Sequence, residues 1–501
     1  MPLLDTITYR DRVKQHRPWP RVLVTDEGWQ HAVDSLAQGR CTLLALWGDA
    51  PAVHMALLGE VSDDVAVLSY VCKNNQYPSV GAKHPAALRP ERAIRDLYGF
   101  EAVDTTDTRP WLDLGFWNVR HPLGKRAAVQ KVAPYKFLPV EGEGLHQIPV
   151  GPVHAGIIEP GHFRFTANGE HIVRLEQRLG WVHKGIERLM AGATVDKAAK
   201  LASRTSGDST VAYAFAFAQA VESALQIEVP PRATYLRALM AELERLANHF
   251  GDIGAICNDA SFSLMHAQCG ILRERTLRAA EISFAHRLMM DVIIPGGVAR
   301  DIAADGVAQF RALLVEVRRV FPRLIELYDN TASLQDRTVS TGIVKAELAW
   351  QFGAGGYVGR ASSRAFDARR VFAYAPYDRL SFDIPVLDAG DVNARVWVRI
   401  REVEQSLSLI EQILDALPKG AIKAPLGKGE TCEGLAVTEA FRGDVLVWLR
   451  IDAKGRIARC HLRDASWFQW PLLETAIEGN IVADFPLCNK SFNCSYSGHD
   501  L

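Results

Sequence analysis

Short apolar runs alternate with a helical pattern in the first hundred residues. Residues 22–24, 42–47 and 65–70 are apolar segments of strand length, and residues 28–33 have the composition to begin a helix. Strands that alternate with helices are typical of α/β structure. The pattern therefore predicts a small α/β domain at the start of the chain.

The pattern changes to long amphipathic helices after Pro149. Residues 271–290, 310–328 and 393–417 have helical spacing, and strand-like runs return at 445–451 and 457–462. In residues 235–250 the apolar positions form one stripe, made by Leu236, Leu239, Met240, Leu243, Leu246 and Ala247. The sequence thus predicts an α+β chain: an α/β domain over 1–125, a loop-rich linker over 126–148, and a large, mainly helical domain over 149–501.

Composition and charge exclude several classes of protein. The 501 residues are 48% hydrophobic and 23% charged, with a formal net charge of -1, so no overall basic field favours nucleic acid. No run approaches the ~20 apolar residues of a membrane span, and the first twenty residues lack the apolar core of a secretory signal. The eight cysteines are scattered, which favours a reducing compartment. We expect a cytoplasmic chain that can dock on a membrane partner.

The segment Arg204-Thr205-Ser206-Gly207-Asp208-Ser209 carries the most specific chemistry. It resembles the Arg-x-Cys-Gly-x-Cys element of nickel–iron hydrogenase large subunits, with serine at both ligand positions. A hydroxyl cannot replace a soft thiolate at a nickel or iron centre. The resemblance implies that Ser206 and Ser209 stand beside a cofactor position without the usual ligands.

The C-terminal segment also lacks the expected thiolate ligands. Residues 491–500 resemble a degraded Asp-Pro-Cys-x-x-Cys element, which supplies the other two nickel–iron ligands in that family. By this resemblance Ser495 and Gly498 stand at the ligand positions and Asn493 at the aspartate. All four thiolates are missing, and we expect no extension after Leu501 of the kind that maturation proteases remove in metal-loaded hydrogenases. We therefore expect no metal bound by this chain.

Further motifs extend the resemblance over most of the chain. Residues 91–100, followed by Arg120-His121-Pro122, resemble the signature of the 30-kDa subunit of respiratory complex I. Residues 148–160 and 180–189 resemble the start of the complex I 49-kDa subunit and of energy-converting hydrogenase large subunits, and later motifs keep the family order to residue 385. The resemblance implies a fused 30-kDa/49-kDa-like subunit, similar to the large subunit of formate hydrogenlyase and of the hydrogenase-4 class.

The resemblance also indicates where quinone chemistry would occur. In the 49-kDa family the position of His154 belongs to a His-x-x-x-His loop at the head of a quinone chamber, and a tyrosine stands at the position of Gly207. Here Ile158 replaces the second histidine. An imidazole and a phenol can protonate a reduced quinone, whereas isoleucine and glycine cannot. His154 either lines a cavity or caps the turn after Pro152.

Two charged residues complete the candidate site. Glu159 resembles the acidic residue that energy-converting hydrogenases carry beside their active centre, and in a dry pocket it would be suited to passing protons; the alternative is a solvated loop carboxylate. Arg204 would be costly to bury alone. We expect it to pair with Asp208, Glu159 or a carboxylate of a partner subunit.

Several other patterns predict structural roles and not binding or catalytic sites. Cys488, Cys494 and His499 have a conceivable zinc spacing, but a fourth ligand is not evident. The glycine-rich run at 353–356 is not followed by the Lys-Ser/Thr of a phosphate loop and predicts a turn. The sequence has no Rossmann fingerprint, so we expect NADH to bind elsewhere in the complex, if at all. Charged residues at 273–275 and 399–402 predict solvated helix faces. Internal ion pairs are predicted within 367–370 and between Asp391 and Arg395.

Three functions remain open from the sequence. The first is a redox subunit of a membrane-associated complex I-like or hydrogenase-4-like oxidoreductase, with electron transfer of the NADH–quinone type coupled to ion translocation. It implies an iron–sulfur small subunit, antiporter-like membrane subunits, quinone as a candidate acceptor, and a position on the inner face of the cell membrane. The second is a nickel–iron hydrogenase or formate hydrogenlyase large subunit proper, which would need another ligand set. The third is a non-redox scaffold of an ion- or carbon-transporting membrane complex.

Overall fold

A computed structural model describes residues 2–60, 64–126, 128, 134–153, 158–427 and 430–501. The chain is 44% helical and 20% strand, which confirms the predicted α+β class. Over these ranges, no helix combines the length and apolar character needed to cross a membrane.

The strands fall into an N-terminal set, a middle set and a C-terminal set. They are β1 (Tyr9–Arg12), β2 (His16–Arg17), β3 (Arg21–Val24), β4 (Cys41–Asp49), β5 (Ala52–Gly59), β6 (Val65–Val71), β7 (Gln76–Pro78), β8 (Glu101–Val103), β9 (Leu145–Val150), β10 (His162–Asn168), β11 (His171–Arg178), β12 (Ile293–Ile294), β13 (Gly297–Val298), β14 (Cys432–Ala440), β15 (Gly443–Ile451) and β16 (Ile457–Arg463).

The α-helices dominate the second half of the chain. They are α1 (Asp26–Ala37), α2 (Leu88–Tyr98), α3 (Ile186–Met190), α4 (Val195–Ala202), α5 (Thr210–Leu225), α6 (Pro231–Asp259), α7 (Ser263–Phe284), α8 (Gly306–Asp329), α9 (Ala332–Thr338), α10 (Ala346–Gln351), α11 (Gly356–Arg360), α12 (Ala368–Val371), α13 (Val392–Asp415), α14 (Ser466–Ala476), α15 (Phe485–Phe492) and α16 (Tyr496–Asp500).

The first sheet has the strand order β1-β3-β6-β5-β4. β3 and β6 pair in parallel, and the other neighbours pair antiparallel. Helix α1 begins with the Thr25 side chain accepting from the Gly28 amide and buries Trp29 in the core. The predicted strands and the helix between the first two are confirmed. β5, which is buried along its whole length, is an addition to the prediction.

Helices α6, α7, α8 and α13 form the helical body of the large domain and correspond to the four predicted amphipathic segments. The predicted stripe on α6 is buried against the neighbouring helices, with Leu236, Leu239 and Leu246 fully buried. Pro231 occupies the first helical position, where its missing N–H has no cost. Glu244, a residue of the candidate site described below, lies on α6 of this helical body.

Two further sheets lie in the large domain. β9, β10 and β11 form an antiparallel sheet, and β9 begins inside the segment predicted as linker. β14, β15 and β16 form a second sheet, to which β2 of the N-terminal segment adds in parallel, with His16 opposite Glu433. The Trp47 and His461 rings stack with centroids 5.1 Å apart. The two predicted domains therefore share a sheet and a buried aromatic contact.

The charged segment 399–402 is not a solvated face. Arg399 and Glu402 are buried on α13: Arg399 Nε lies 3.3 Å from Asp252 Oδ2, and Arg360 Nε donates to Glu402 Oε1 at 2.8 Å. Burial would raise the pKa of Glu402, but Arg360, His249 and Arg245 together outweigh it, and this pKa lies well below its usual value. The prediction was wrong because both residues find buried partners on other elements. By contrast, the Glu274 side chain is 38% exposed and pairs with Arg278 and Arg287, as a solvated face requires.

The predicted internal ion pairs have different outcomes. Asp367 and Arg369 form the expected pair, with Nη2 2.7 Å from Oδ2. Asp391 instead caps α13 by accepting from the Ala394 amide. The Arg395 guanidinium donates to the carbonyls of Gly390 and Gly342 and to Ser491 Oγ. The predicted Asp391–Arg395 pair was wrong, because the helix N-terminus and the carbonyls satisfy these groups separately.

Candidate functional site

The two segments with serine at ligand positions meet in the interior. The first, residues 203–209, connects α4 to α5; the second, residues 493–498, runs from the end of α15 into the first turn of α16. Ser206 Oγ and Ser495 Oγ lie 2.9 Å apart, and both residues are buried. Asn493 has a φ of 45°, and this left-handed turn ends α15 and turns the chain towards Ser495. The structure thus brings residues from both ligand-position segments into contact.

The hydrogen bonds of the serines have one consistent direction. The Ser206 hydroxyl donates to Asp208 Oδ1 at 2.8 Å, so it accepts from the Ser495 hydroxyl. Ser495 Oγ in turn accepts the Gly498 amide at 2.9 Å and caps α16. The two ligand-position segments are therefore joined by a chain of hydroxyl hydrogen bonds that ends on a carboxylate.

Arg442 connects the same two segments through its charge. Its Nη1 donates to Asp208 Oδ1 at 2.8 Å and to Ser209 Oγ at 3.0 Å, and its Nε donates to the Asn493 carbonyl. Burial alone would raise the pKa of Asp208, but the charge and hydrogen bonds of Arg442, together with the Ser206 hydrogen bond, outweigh it and lower this pKa to about 2. Arg442 lies in the turn between β14 and β15, and a single arginine in a hairpin turn gives no sequence signal for this role.

A nickel–iron centre does not fit these residues. Three of the four ligand positions offer neutral hydroxyls and the fourth, Gly498, offers no side chain, whereas the centre requires thiolates. The space between the segments is crossed by the Ser206–Ser495 hydrogen bond, and the Arg442 guanidinium brings a fixed positive charge beside it. In this chain hydrogen bonds and an ion pair join the two segments, whereas metal–sulfur bonds would join them in a metal-loaded subunit of this kind.

A cavity adjoins the remodelled site on the side of α6 and α7. Its empty volume, which includes the part open to solvent, is about 540 Å³, and its wall includes Gly207, Asp208, Glu244, Asn248 and Arg273. The Glu244 carboxylate accepts from the Val211 and Ala212 amides at the start of α5, at 2.7 and 3.1 Å. Burial, together with the nearby Asp208 charge, raises the pKa of Glu244 to about 8. Sequence reasoning missed Glu244, because α6 carries several charged positions and its helical pattern does not distinguish this one from the others.

Arg204 lies outside this cluster. Its guanidinium pairs with Asp291, with Nη1 2.6 Å from Oδ1 and Nη2 2.7 Å from Oδ2, and its side chain is 43% exposed. The predicted partners Asp208 and Glu159 are wrong, because Asp208 is taken by Arg442 and Asp291 is reachable at the surface. Arg204 therefore positions the end of α4 and does not face the serines.

Glu159 is exposed, and its Oε2 accepts the Ser497 amide at 3.1 Å. Its exposure favours the solvated loop carboxylate over the dry pocket, although Glu159 does reach the C-terminal segment of the site. Ile158 is 44% exposed. His154 lies outside the described residues. Lys184, which interacts with the Glu159 charge, donates to the Thr205 carbonyl at 3.2 Å and links this edge to the serine segment.

The C-terminal residues are anchored by buried polar contacts. Asp500 Oδ2 accepts the Gly180 and Val182 amides, and the Leu501 carbonyl accepts the Lys184 and Gly185 amides. The His499 imidazole bonds to Asp500 Oδ1 and accepts from Trp111 Nε1 at 3.2 Å. Its nitrogens are thus used in the fold. No group of three or more His, Cys, Asp or Glu side chains suited to a metal occurs in the part of the chain that the structure describes.

Two family models match parts of this chain. Residues 261–432 match the family described as respiratory-chain NADH dehydrogenase, 49 Kd subunit, and residues 184–251 match nickel-dependent hydrogenase. Formate hydrogenlyase subunit 5 of Escherichia coli (strain K12) is 33% identical over 440 residues, 85% of this chain and 77% of the relative. An NADH-quinone oxidoreductase subunit of Roseiflexus sp. (strain RS-1) is 32% identical over 352 residues, 68% of this chain and 94% of the relative.

Among solved structures, a chain of the membrane-bound sulfane sulfur reductase, an archaeal respiratory membrane complex, aligns with a TM-score of 0.68 at 26% identity. The alignment covers 73% of this chain and 100% of that chain. Fold and site together define the class of large subunits found in respiratory and hydrogenase complexes. The chain belongs to the complex I 49-kDa/nickel–iron hydrogenase large-subunit family, and its relatives are subunits of membrane-bound oxidoreductases.

Proposed function

We propose that this chain is the large subunit of a membrane-associated, complex I-like or hydrogenase-4-like oxidoreductase that does not turn over dihydrogen. Electrons pass from an iron–sulfur small subunit to an organic acceptor of the quinone type, in the manner of NADH–quinone oxidoreductases, and the transfer is coupled to ion translocation by antiporter-like membrane subunits. The complex sits on the cytoplasmic face of the cell membrane.

One observation carries the proposal. Arg442, Asp208 and the Ser206–Ser495 pair bridge the two segments that would carry a nickel–iron centre. The fold of the family is kept around them, and the four ligand positions carry three serines and a glycine. A subunit that keeps this body without thiolates retains the means to contact a redox partner, but it lacks the means to activate dihydrogen.

The cavity beside Gly207 supports an organic acceptor. Its wall combines apolar side chains, including Leu243 and Leu277, with polar groups at Asp208 and Glu244, as in sites for small amphipathic molecules. Glu244, with its raised pKa, can hold a proton near neutral pH. Gly207, in the wall of this cavity, is the position at which the family usually carries a tyrosine.

The test is isolation of the complex through a tag on this chain. We expect iron from the small subunit, substoichiometric nickel, reduction of a soluble quinone analogue, and no dihydrogen turnover. Stoichiometric nickel together with dihydrogen turnover would overturn the proposal and restore the hydrogenase hypothesis.

A non-redox scaffold is the second candidate, because the hydrogen bonds and the ion pair fill the former cofactor position. A complex that lacks an iron–sulfur subunit, reduces no quinone analogue and still moves ions or inorganic carbon across vesicle membranes would select the scaffold.

A further inference from the structure

Position 498 lacks the space for any side chain. A Cβ atom added at Gly498 would stand 2.6 Å from Asp464 Oδ2 and 2.9 Å from Ser495 Oγ. Gly498 lies in the helix α16, where its backbone conformation is one that every L-residue adopts. The obstacle is therefore the Asp464 carboxylate and not the backbone.

Asp464 is fixed from two sides. Its Oδ2 accepts the Tyr213 hydroxyl at 2.8 Å and its Oδ1 accepts the Ser466 amide at 2.9 Å, at the start of α14. Asp464 and Tyr213 are both fully enclosed. Displacing the carboxylate would leave a buried phenol and a helix amide without a partner, which is unfavourable.

We infer that Asp464, held by Tyr213, occupies the volume that the side chain of a fourth metal ligand would need. The soft-metal site is then excluded for two reasons: the packing around Gly498 leaves no room for a ligand side chain, and the other three ligand positions carry serine. Restoring cysteine at residues 206, 209, 495 and 498 will not by itself restore a four-thiolate site. This inference goes beyond the proposed function, because it concerns two residues outside the ligand positions and holds whether the subunit is redox-active or a scaffold.

Asp464→Ser is the change that should release the space. A serine is shorter than aspartate, and its Oγ can still accept the Ser466 amide as a helix cap. It removes the oxygen that stands 2.6 Å from the added Cβ at residue 498.

The packing claim can be tested on the purified full-length chain without metal. We expect Gly498→Ala to lower the melting temperature by ~2 °C or more, and we expect a smaller loss when the same change is made in Asp464→Ser. Ser497→Ala, one residue earlier in α16, is the matched control for an alanine in this helix. Strictly additive shifts in the double variant would overturn the inference.

The metal claim is tested with Co²⁺ alone, because thiolate-to-cobalt absorption reports sulfur ligation directly. The four-cysteine variant S206C/S209C/S495C/G498C should show no stoichiometric four-thiolate spectrum, and the same variant with Asp464→Ser should show it. Circular dichroism confirms that both are folded. Stoichiometric four-thiolate binding without the Asp464 change, or none with it in folded protein, would contradict the role assigned to Asp464.

Discussion

The Arg442 guanidinium binds the Asp208 carboxylate across 234 residues of sequence, with Nη1 2.8 Å from Oδ1. The same arginine reaches Ser209 on one segment and the Asn493 carbonyl on the other. Both segments carry ligand positions in the related nickel–iron subunits. A charge pair formed by residues outside the ligand set therefore fixes their separation in this chain.

Removing this pair should destabilise the protein. A buried pair that loses one partner costs ~3–5 kcal/mol, but Asp208 is 38% exposed, so solvent screening reduces the coupling to about 1–3 kcal/mol. A double-mutant cycle of Arg442→Met and Asp208→Asn, followed by urea unfolding, measures this coupling.

The exposed pair Arg318–Glu411 provides the matched control, since both side chains are more than 40% exposed. Its cycle, Arg318→Met with Glu411→Gln, should give a coupling below ~1 kcal/mol. Equal coupling in the two cycles would show that the Arg442–Asp208 pair is no more than a surface ion pair.

The Ser206–Ser495 hydrogen bond should contribute a modest coupling of its own. A neutral hydrogen bond contributes ~1 kcal/mol net to stability, and Ser206 also donates to Asp208. We expect Ser206→Ala and Ser495→Ala to be less costly together than the sum of the single changes. Additivity in urea unfolding would mean that the two hydroxyls do not interact in solution.

The helices and the pairing of the two serine segments could be predicted from the sequence, and Arg442 could not. Helical spacing of Leu236, Leu239 and Leu246 gives the core face of α6 directly. Motif resemblance brought Ser206 and Ser495 together. Arg442 gives no periodic signal, because its role depends on where a hairpin turn falls in the tertiary structure.

Two misses have different physical origins. The sheet β9–β11 was overlooked although Phe163, Phe165 and Ala167 alternate with the period of two that strands require. Arg399 and Glu402 were assigned to solvent because charges on a helix usually are exposed. Their burial depends on Asp252 and Arg360, which lie on other helices, and no local pattern in α13 encodes those partners.

Glu244 should make stability depend on pH near neutrality. Its folded-state pKa of about 8 lies above the ordinary value of ~4.3, so the native protein holds a proton that the unfolded chain has released. Between these values the free energy of unfolding therefore falls as pH rises, by up to ~1.4 kcal/mol per pH unit. Glu244→Gln keeps an oxygen for the Val211 and Ala212 amides and should flatten this dependence.

Urea unfolding at several pH values between ~5 and ~8 measures the effect. The variant should become more stable than the parent chain at the alkaline end. Parallel pH profiles for the two proteins would show that Glu244 does not titrate in this range.

The last prediction concerns electron transfer in the assembled complex. Glu159 touches the C-terminal segment through the Ser497 amide, and Glu159→Gln keeps an acceptor oxygen while removing the charge and the titratable proton. If Glu159 passes protons to the acceptor, quinone-analogue reduction should fall ~100-fold or more, as for loss of a general acid or base, while the complex stays intact by size-exclusion chromatography. His154→Ala should act in the same direction if that imidazole serves the same acceptor. Normal turnover in both variants would remove these two residues from the reaction and leave Glu244 as the candidate proton donor.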